Sequence, residues 1–487
     1  MIKKRTWIKA LLIVPVLLVL LSAVGYWKFG DKALVGAGYD AKMICSGVFV
    51  SGRDPADVMA VDLAATEGIP YGHKIDAERQ SVHTSLFYLA GQTAVFREGL
   101  GCTLVLDENV DALKGRAALA PPLPAPLPVE VLWPEGQRVD IGALPPEIDR
   151  RRLKTALESA FVDPDPDQPM HTRAVVAVYK GRIIGEKYAA GFSKDTPLLG
   201  WSMTKSVTSA LVGILVKQGR LNLHQPAPVP EWQQAQDPRA AITIDHLLRM
   251  ESGLKFIEEY ESNAASDCVR MLFQEPDMGA FAAAMPPAAP PGTRWSYSSG
   301  TTNIISRLIR QTFADDRAYY AFVRSALLDK LGMRKTVIET DAAGTLVGSS
   351  YMYATGRDWA RMGLLFLNDG VWRGERILPE GWVAYSTTPT PHAPRGCYGA
   401  HFWLNAGAPG NPTDRDFPQL PTDLYYMSGH DGQMVAIIPG RHLVVVRLGF
   451  TPAAVTTWDE QTFLKNFVDA VQPPAVAADG CNAADST

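Results

Sequence analysis

Trp201-Ser202-Met203-Thr204-Lys205 runs straight into the apolar stretch Ser206–Val216, which reads as a helix weakened only by Gly213. Ser202 is expected to open that helix. A lysine three residues on lies one turn later on the same face, so its ammonium reaches the Ser202 hydroxyl. A buried lysine has a depressed pKa, and its neutral amine accepts the serine proton. The Ser202 N–H, at the helix N-terminus, faces developing negative charge and supplies half of an oxyanion hole. This is equipment for acyl transfer through a serine. Alone, Ser-x-x-Lys is a common pattern that a solvated helix start also explains.

Context changes the weight of the motif. Further blocks follow in order: Ile242-Thr243-Ile244-Asp245-His246-Leu247 with Glu251-Ser252-Gly253-Leu254, then Trp295-Ser296-Tyr297-Ser298-Ser299-Gly300, then Thr355-Gly356-Arg357-Asp358-Trp359, then Ser428-Gly429-His430-Asp431-Gly432-Gln433. With them the chain, from about Arg173 to Val471, resembles the serine β-lactamase-related hydrolases. That family includes class C β-lactamases, D-Ala-D-Ala peptidases, esterases and 6-aminohexanoate-dimer hydrolases. The resemblance implies Ser202 as nucleophile, Lys205 as its activator, and Tyr297 as relay of the serine proton to the leaving group. A tyrosine is ordinarily a poor base, and a nearby ammonium is expected to favour its phenolate. A core aromatic with a satisfied hydroxyl is the alternative for Tyr297. The same resemblance implies the Gln433 N–H as second oxyanion donor.

Two departures bear on substrate. Ser299 stands where β-lactamases of this type often have asparagine, which shortens a side chain expected to contact substrate. His430-Asp431-Gly432 stands for the family's Lys-Thr-Gly, so His430 keeps a donor at the site but is charged only part of the time at neutral pH. Gly432 fits the pattern, since a side chain there is expected to block substrate lying along the strand. The expected substrate is therefore a small-molecule or peptide ester or amide. A β-lactamase, or a non-catalytic sensor on the same fold, is the alternative. No histidine, cysteine or carboxylate cluster has metal-ligand spacing and no glycine-rich phosphate loop follows a strand, so no metal or cofactor is expected.

The elements that must position these residues are legible on either side. Glu147–Phe161 reads as a helix, and Arg173–Tyr179 with Arg182–Tyr188 as a hairpin turned at Lys180-Gly181. A second hairpin, Met434–Ile438 and Leu443–Leu448, turns at Pro439-Gly440 and precedes a closing helix from about Asp459 to Val471. The fold class is α+β: an antiparallel sheet flanked by helices plus a mostly helical region, of the β-lactamase and penicillin-binding-protein type. Pro121-Pro122-Leu123-Pro124-Ala125-Pro126-Leu127-Pro128 favours extended structure, a linker or a surface strap. The expected organisation is a membrane or signal segment over 1–28, an extension of unread role over 29–116, a proline-rich linker over 117–146, a hydrolase domain over 147–472 and a tail over 473–487.

A formal net charge of -4 without long runs of one sign excludes an electrostatic footprint for nucleic acid. At the N-terminus Lys3, Lys4, Arg5 and Lys9 precede an apolar run from Ala10 to Tyr26, so residues 8–27 are expected in the cytoplasmic membrane as a single pass. The basic flank stays cytoplasmic, which places the catalytic domain on the periplasmic side. Cleavage near Ala23-Val24-Gly25 by a signal peptidase is the alternative and makes the protein secreted. Export makes disulfides possible. Cys45 and Cys102, both before the proline-rich stretch, are the expected pair, with Cys268, Cys397 and Cys481 free or at the surface. Five unpaired cysteines is the alternative.

Overall fold

The computed structural model describes residues 30–472 except 88, 89, 108, 143, 235 and 261–265. The segment expected in the membrane, over 1–28, and the tail with Cys481 lie outside the described residues. Among the described residues no helix is long and apolar enough to cross a membrane.

The region before the proline-rich stretch, unread from sequence, is a helix α1 over 30–49 followed by an antiparallel four-stranded meander. Its strands are β1 (Tyr71–Asp76), β2 (Ser81–Leu86), β3 (Ala90–Arg97) and β4 (Gly101–Leu104). Cys45 on α1 and Cys102 on β4 form the expected disulfide, with Cα atoms 6.1 Å apart. Cys268 and Cys397 are free, but both are buried rather than at the surface.

This extension is not a body apart. Val35, Ile44, Cys102 and Leu104 belong to the same hydrophobic core as Trp201, Val207, Leu272 and Phe273. Glycines let α1 come that close: a Cβ on Gly38 would stand 2.9 Å from the Phe273 carbonyl oxygen. Buried charges meet across the boundary as well. Glu339 accepts from Ser46 Oγ at 2.8 Å and from the Cys102 amide at 2.7 Å, and it pairs with Lys42. Asp62 takes Arg53 and Arg173 together. Removing one partner of such a buried pair costs about 3–5 kcal/mol, so these contacts hold the extension in one position.

The proline-rich stretch contains no helix or strand over Pro121–Pro128 and lies as a strap, the second of the two expected readings. Its far end is tied down by two arginines. Arg361 donates to the carbonyls of Pro134 and Gly136 at 3.1 and 3.2 Å, and Arg357 to that of Gln137 at 2.7 Å.

The remainder is an α+β fold. In chain order it comprises helix α2 (Arg150–Ser159), strands β5 (Ala174–Tyr179) and β6 (Arg182–Tyr188), helices α3 (Thr204–Lys217), α4 (Ser299–Gln311) and α5 (Gly356–Leu367), strands β7 (Trp403–Leu404), β8 (Tyr425–Gly429), β9 (Gln433–Ile438) and β10 (Leu443–Leu448), and helix α6 (Glu460–Ala470). Six strands pair antiparallel in the order β7-β8-β9-β10-β5-β6. Side chains alternate between two cores, as a period of two demands. Ala174, Val176 and Val178 face the core shared with α3 and α5, while Val175, Ala177 and Tyr179 face the one closed by α2 and α6. Both faces are covered, so the strands read as continuous apolar runs. Each fully buried valine or leucine contributes roughly 1.5–3 kcal/mol.

Candidate active site

The nucleophile segment is a tight turn before a helix. Trp201–Met203 is a 3-10 turn and the α-helix begins at Thr204, two residues later than expected. Trp201 has φ +46°, a left-handed conformation that costs a bulky residue about 1–3 kcal/mol. The surroundings enforce it. Thr204 Oγ1 donates to the Trp201 carbonyl at 2.7 Å, the Gly200 amide donates to the Met352 carbonyl at 2.9 Å, and the Trp201 ring is wedged against Tyr351 and His430. Gly200 lies directly on Trp359 of α5, so close that a Cβ there would sit 2.2 Å from the indole.

Lys205, one turn into the segment, is 1% exposed. Its Nζ lies 2.9 Å from Ser202 Oγ, 2.9 Å from Ser299 Oγ and 3.0 Å from the Ser349 carbonyl oxygen. Burial pushes its pKa down to about 8, with Glu258 pulling the other way. The ring of Tyr297 lies 4.9 Å from the same nitrogen. Tyr297 immediately precedes Ser298, the N-cap of α4, and packs among Trp295, Tyr398 and Trp403. Its phenol is pushed well above the usual value, first by burial and then by Glu258, against a hydrogen bond with Ser202. The phenolate expected from sequence is thus disfavoured, because the phenol loses solvent and faces the Glu258 carboxylate. Lysine, not tyrosine, is the group here that titrates near neutrality.

Glu258 and Tyr260 escaped the sequence reading. Glu258 accepts from the Ser299 amide at 2.7 Å and from Ser299 Oγ at 2.5 Å, and Tyr260 Oη donates to it at 3.1 Å. The chain is thus Glu258 to Ser299 to Lys205 to Ser202. The available signal was a polar Glu258-Glu259-Tyr260 run just after Glu251-Ser252-Gly253-Leu254, which by itself looks like any exposed loop. Ser299 is fully buried behind Lys205, so the direct substrate contact expected of it is not where the structure puts its hydroxyl. His401 is buried too and pushed down to about 3 by desolvation; its Nδ1 lies 2.9 Å from the Lys205 carbonyl oxygen, as a neutral brace under the first turn of α3.

His430, Asp431 and Gly432 form the turn between β8 and β9 rather than a strand. His430 stacks on Tyr260 with ring centroids 4.9 Å apart. Gly432 has φ +75°, and a Cβ on it would strike Arg447 Nη1 at 2.5 Å. The turn and Arg447 both require the glycine. Arg447, fully buried, donates to the Gly432 carbonyl at 2.8 Å and to Thr172 and Thr451, pinning the turn. Gln433 is buried on β9, its side-chain amide spent on the backbone of His430, Asp431 and Gly449. Gly429 of this hairpin also lies against the nucleophile turn: a Cβ there would stand 2.1 Å from the Gly200 carbonyl oxygen. Among the described residues no three histidine, cysteine or carboxylate side chains converge as a metal ion would need.

A family model described as Beta-lactamase matches residues 156–451. A 6-aminohexanoate-dimer hydrolase of Paenarthrobacter ureafaciens is 23% identical over 313 residues, covering 59% of this chain and 76% of that protein. Among solved structures, a Bacillus anthracis protein assigned as a 6-aminohexanoate-dimer hydrolase is similar with a TM-score of 0.52 at 21% identity, over 66% of this chain and 81% of that one. A family VIII carboxylesterase is similar with a TM-score of 0.50 at 16% identity, over 67% of this chain and 97% of that one.

Proposed function

The chain belongs to the beta-lactamase family and is a serine hydrolase, and from that premise we propose that Ser202 is its nucleophile, Lys205 its base and Tyr297 its acid, acting on short-chain esters or linear amides through an acyl-enzyme. The observation that carries the assignment is the buried Lys205 Nζ 2.9 Å from Ser202 Oγ. The neutral amine takes the serine proton as Oγ attacks the carbonyl. The Ser202 amide and a backbone amide at the β8–β9 turn, from Gly429 and His430 or from Gln433 paired opposite Gly429, hold the oxyanion. Tyr297, protonated, gives its proton to the leaving group and regains one from the Lys205 ammonium beside its ring. Water then releases the acyl group by the reverse path. Glu258 and Ser299 position the lysine.

Two features support linear substrates over β-lactams. A permanent cation suits the carboxylate of penicillins and cephalosporins, and in place of the family's lysine this chain has His430, its ring stacked on Tyr260. Ser299 is occupied by Lys205 and Glu258, so it offers nothing to an acyl group or its attacking water. The Paenarthrobacter relative, a 6-aminohexanoate-dimer hydrolase, points the same way. The test compares kcat/KM for p-nitrophenyl butyrate and a chromogenic cephalosporin on one preparation. The ester is expected to win, and a cephalosporin value higher by about tenfold would overturn the reading. As to place, the basic flank before the apolar run and the Cys45–Cys102 bridge support a hydrolase held outside the cytoplasmic membrane.

A further inference from the structure

Beside the nucleophile turn is a cavity of about 490 Å3 that Tyr297 does not line. Trp201, Tyr260 and His430 of the site form its inner end, and Phe273 and Phe450 one side. The opposite wall comes from the extension: Val35 and Tyr39 of α1, then Ala65 and Ile69 of the loop before β1. We propose that the extension completes an acyl pocket, and that the substrate's acyl group carries a linear, apolar chain which lies in it. The inference rests on the assignment of Ser202 as nucleophile and extends the preference beyond short acyl groups.

Three observations carry it. The polar groups of the extension's wall are already spent inside the extension. Tyr39 Oη donates to the Asp62 carbonyl at 2.8 Å, Tyr71 Oη to that of Ala33 at 2.9 Å, and Thr66 Oγ1 to Asp40 at 2.6 Å. Apart from Lys32 at the start of α1 and Asp431 opposite, what faces the cavity is mostly carbon, so an apolar ligand displaces few hydrogen bonds on entering. Ile69 at the cavity is 45% exposed, an apolar surface left in water unless a ligand covers it. The side is set by Tyr297: the leaving group must meet the phenol, and neither Tyr297 nor its aromatic neighbours Trp295, Tyr398 and Trp403 line this cavity. The chain that occupies it therefore belongs to the acyl half.

The test is a series of p-nitrophenyl esters from acetate to octanoate on the full chain, with Ala65→Trp and Ile69→Asp as variants. Both positions are exposed, away from the catalytic groups. In the wild type kcat/KM is expected to climb about fourfold per methylene, the equivalent of roughly 0.8 kcal/mol. Ala65→Trp should fill the pocket and flatten the climb, and Ile69→Asp should reduce it, with acetate turnover within about twofold of wild type in both. Calorimetry of octanoate against Ser202→Ala protein, with and without Ala65→Trp, reads the pocket without turnover. Octanoate binding lost in Ala65→Trp supports the pocket even if no ester is cleaved, an outcome that would instead remove the catalytic assignment. A flat series in the wild type, equal losses for acetate and octanoate in the variants, or octanoate binding indifferent to Ala65→Trp would overturn it.

Discussion

At the scale of single residues the chemistry turns on one desolvated lysine. Lys205 is active as the neutral amine, and burial brings its pKa down to about 8. With the folded pKa below the usual 10.5, kcat/KM should rise with pH through a midpoint of about 8 and then level. Glu258 raises the lysine, so Glu258→Gln should move that midpoint to lower pH; a pH profile whose midpoint stays or rises would separate the carboxylate from the lysine. Ser202→Ala should cut turnover by about a thousandfold or more with far-UV circular dichroism unchanged, and Lys205→Ala nearly as much. Because the two act as one unit, the double variant should be little worse than either single one. Residual turnover within about tenfold of wild type in Ser202→Ala would take the nucleophile's role from it.

Among the elements, the turn ahead of α3 decides where Ser202 points. Trp201 is held in an unfavourable conformation, and the support under it is the indole of Trp359 from α5 pressed on Gly200. Gly200→Ala places a methyl group 2.2 Å from that indole, so the turn must shift. A displacement of about 1 Å at a nucleophile costs on the order of a hundredfold, and the loss should fall on kcat with KM little changed. Steady-state kinetics distinguish this from a binding defect: unchanged kcat would mean that the turn does not depend on the α5 contact. Thr355-Gly356-Arg357-Asp358-Trp359, legible from sequence only as one of the blocks that carry the family resemblance, thereby acquires two tasks. Trp359 carries the nucleophile turn and Arg357, with Arg361, secures the strap.

For the whole molecule, the extension and the hydrolase fold share one core, and the Cys45–Cys102 bridge closes a loop across 57 positions inside it. In the chain-entropy picture a loop of that size is worth about 4 kcal/mol. Cys102→Ser should lower the melting temperature, and reductant should do the same to wild type. Because α1 walls the cavity beside Trp201, activity is expected to fall as this part loosens, ahead of loss of the far core between α2 and α6. Thermal denaturation with and without reductant checks this, and identical melting curves would show that the bridge adds nothing.

What the sequence by itself determined is local. Serine and lysine three positions apart must meet on a helical turn, and runs such as Ala174–Tyr179 and Leu443–Leu448, broken by Lys180-Gly181 and Pro439-Gly440, must form strands, because backbone geometry sets those neighbours. The short strand Tyr425–Gly429 went unread, since serine and glycine blur its end and the turn after it carries the motif. Only the tertiary structure placed Glu258 and Ser299, 41 positions apart, beneath Lys205, and brought α1 against the site. It alone set which group titrates near neutral pH, since desolvation is a property of the packed interior and no pattern of residue types along the chain encodes its extent. The extension was opaque for the same reason: Gly36, Gly38 and Asp40 read as loop residues until Tyr71, Phe273 and Thr66 stand opposite them.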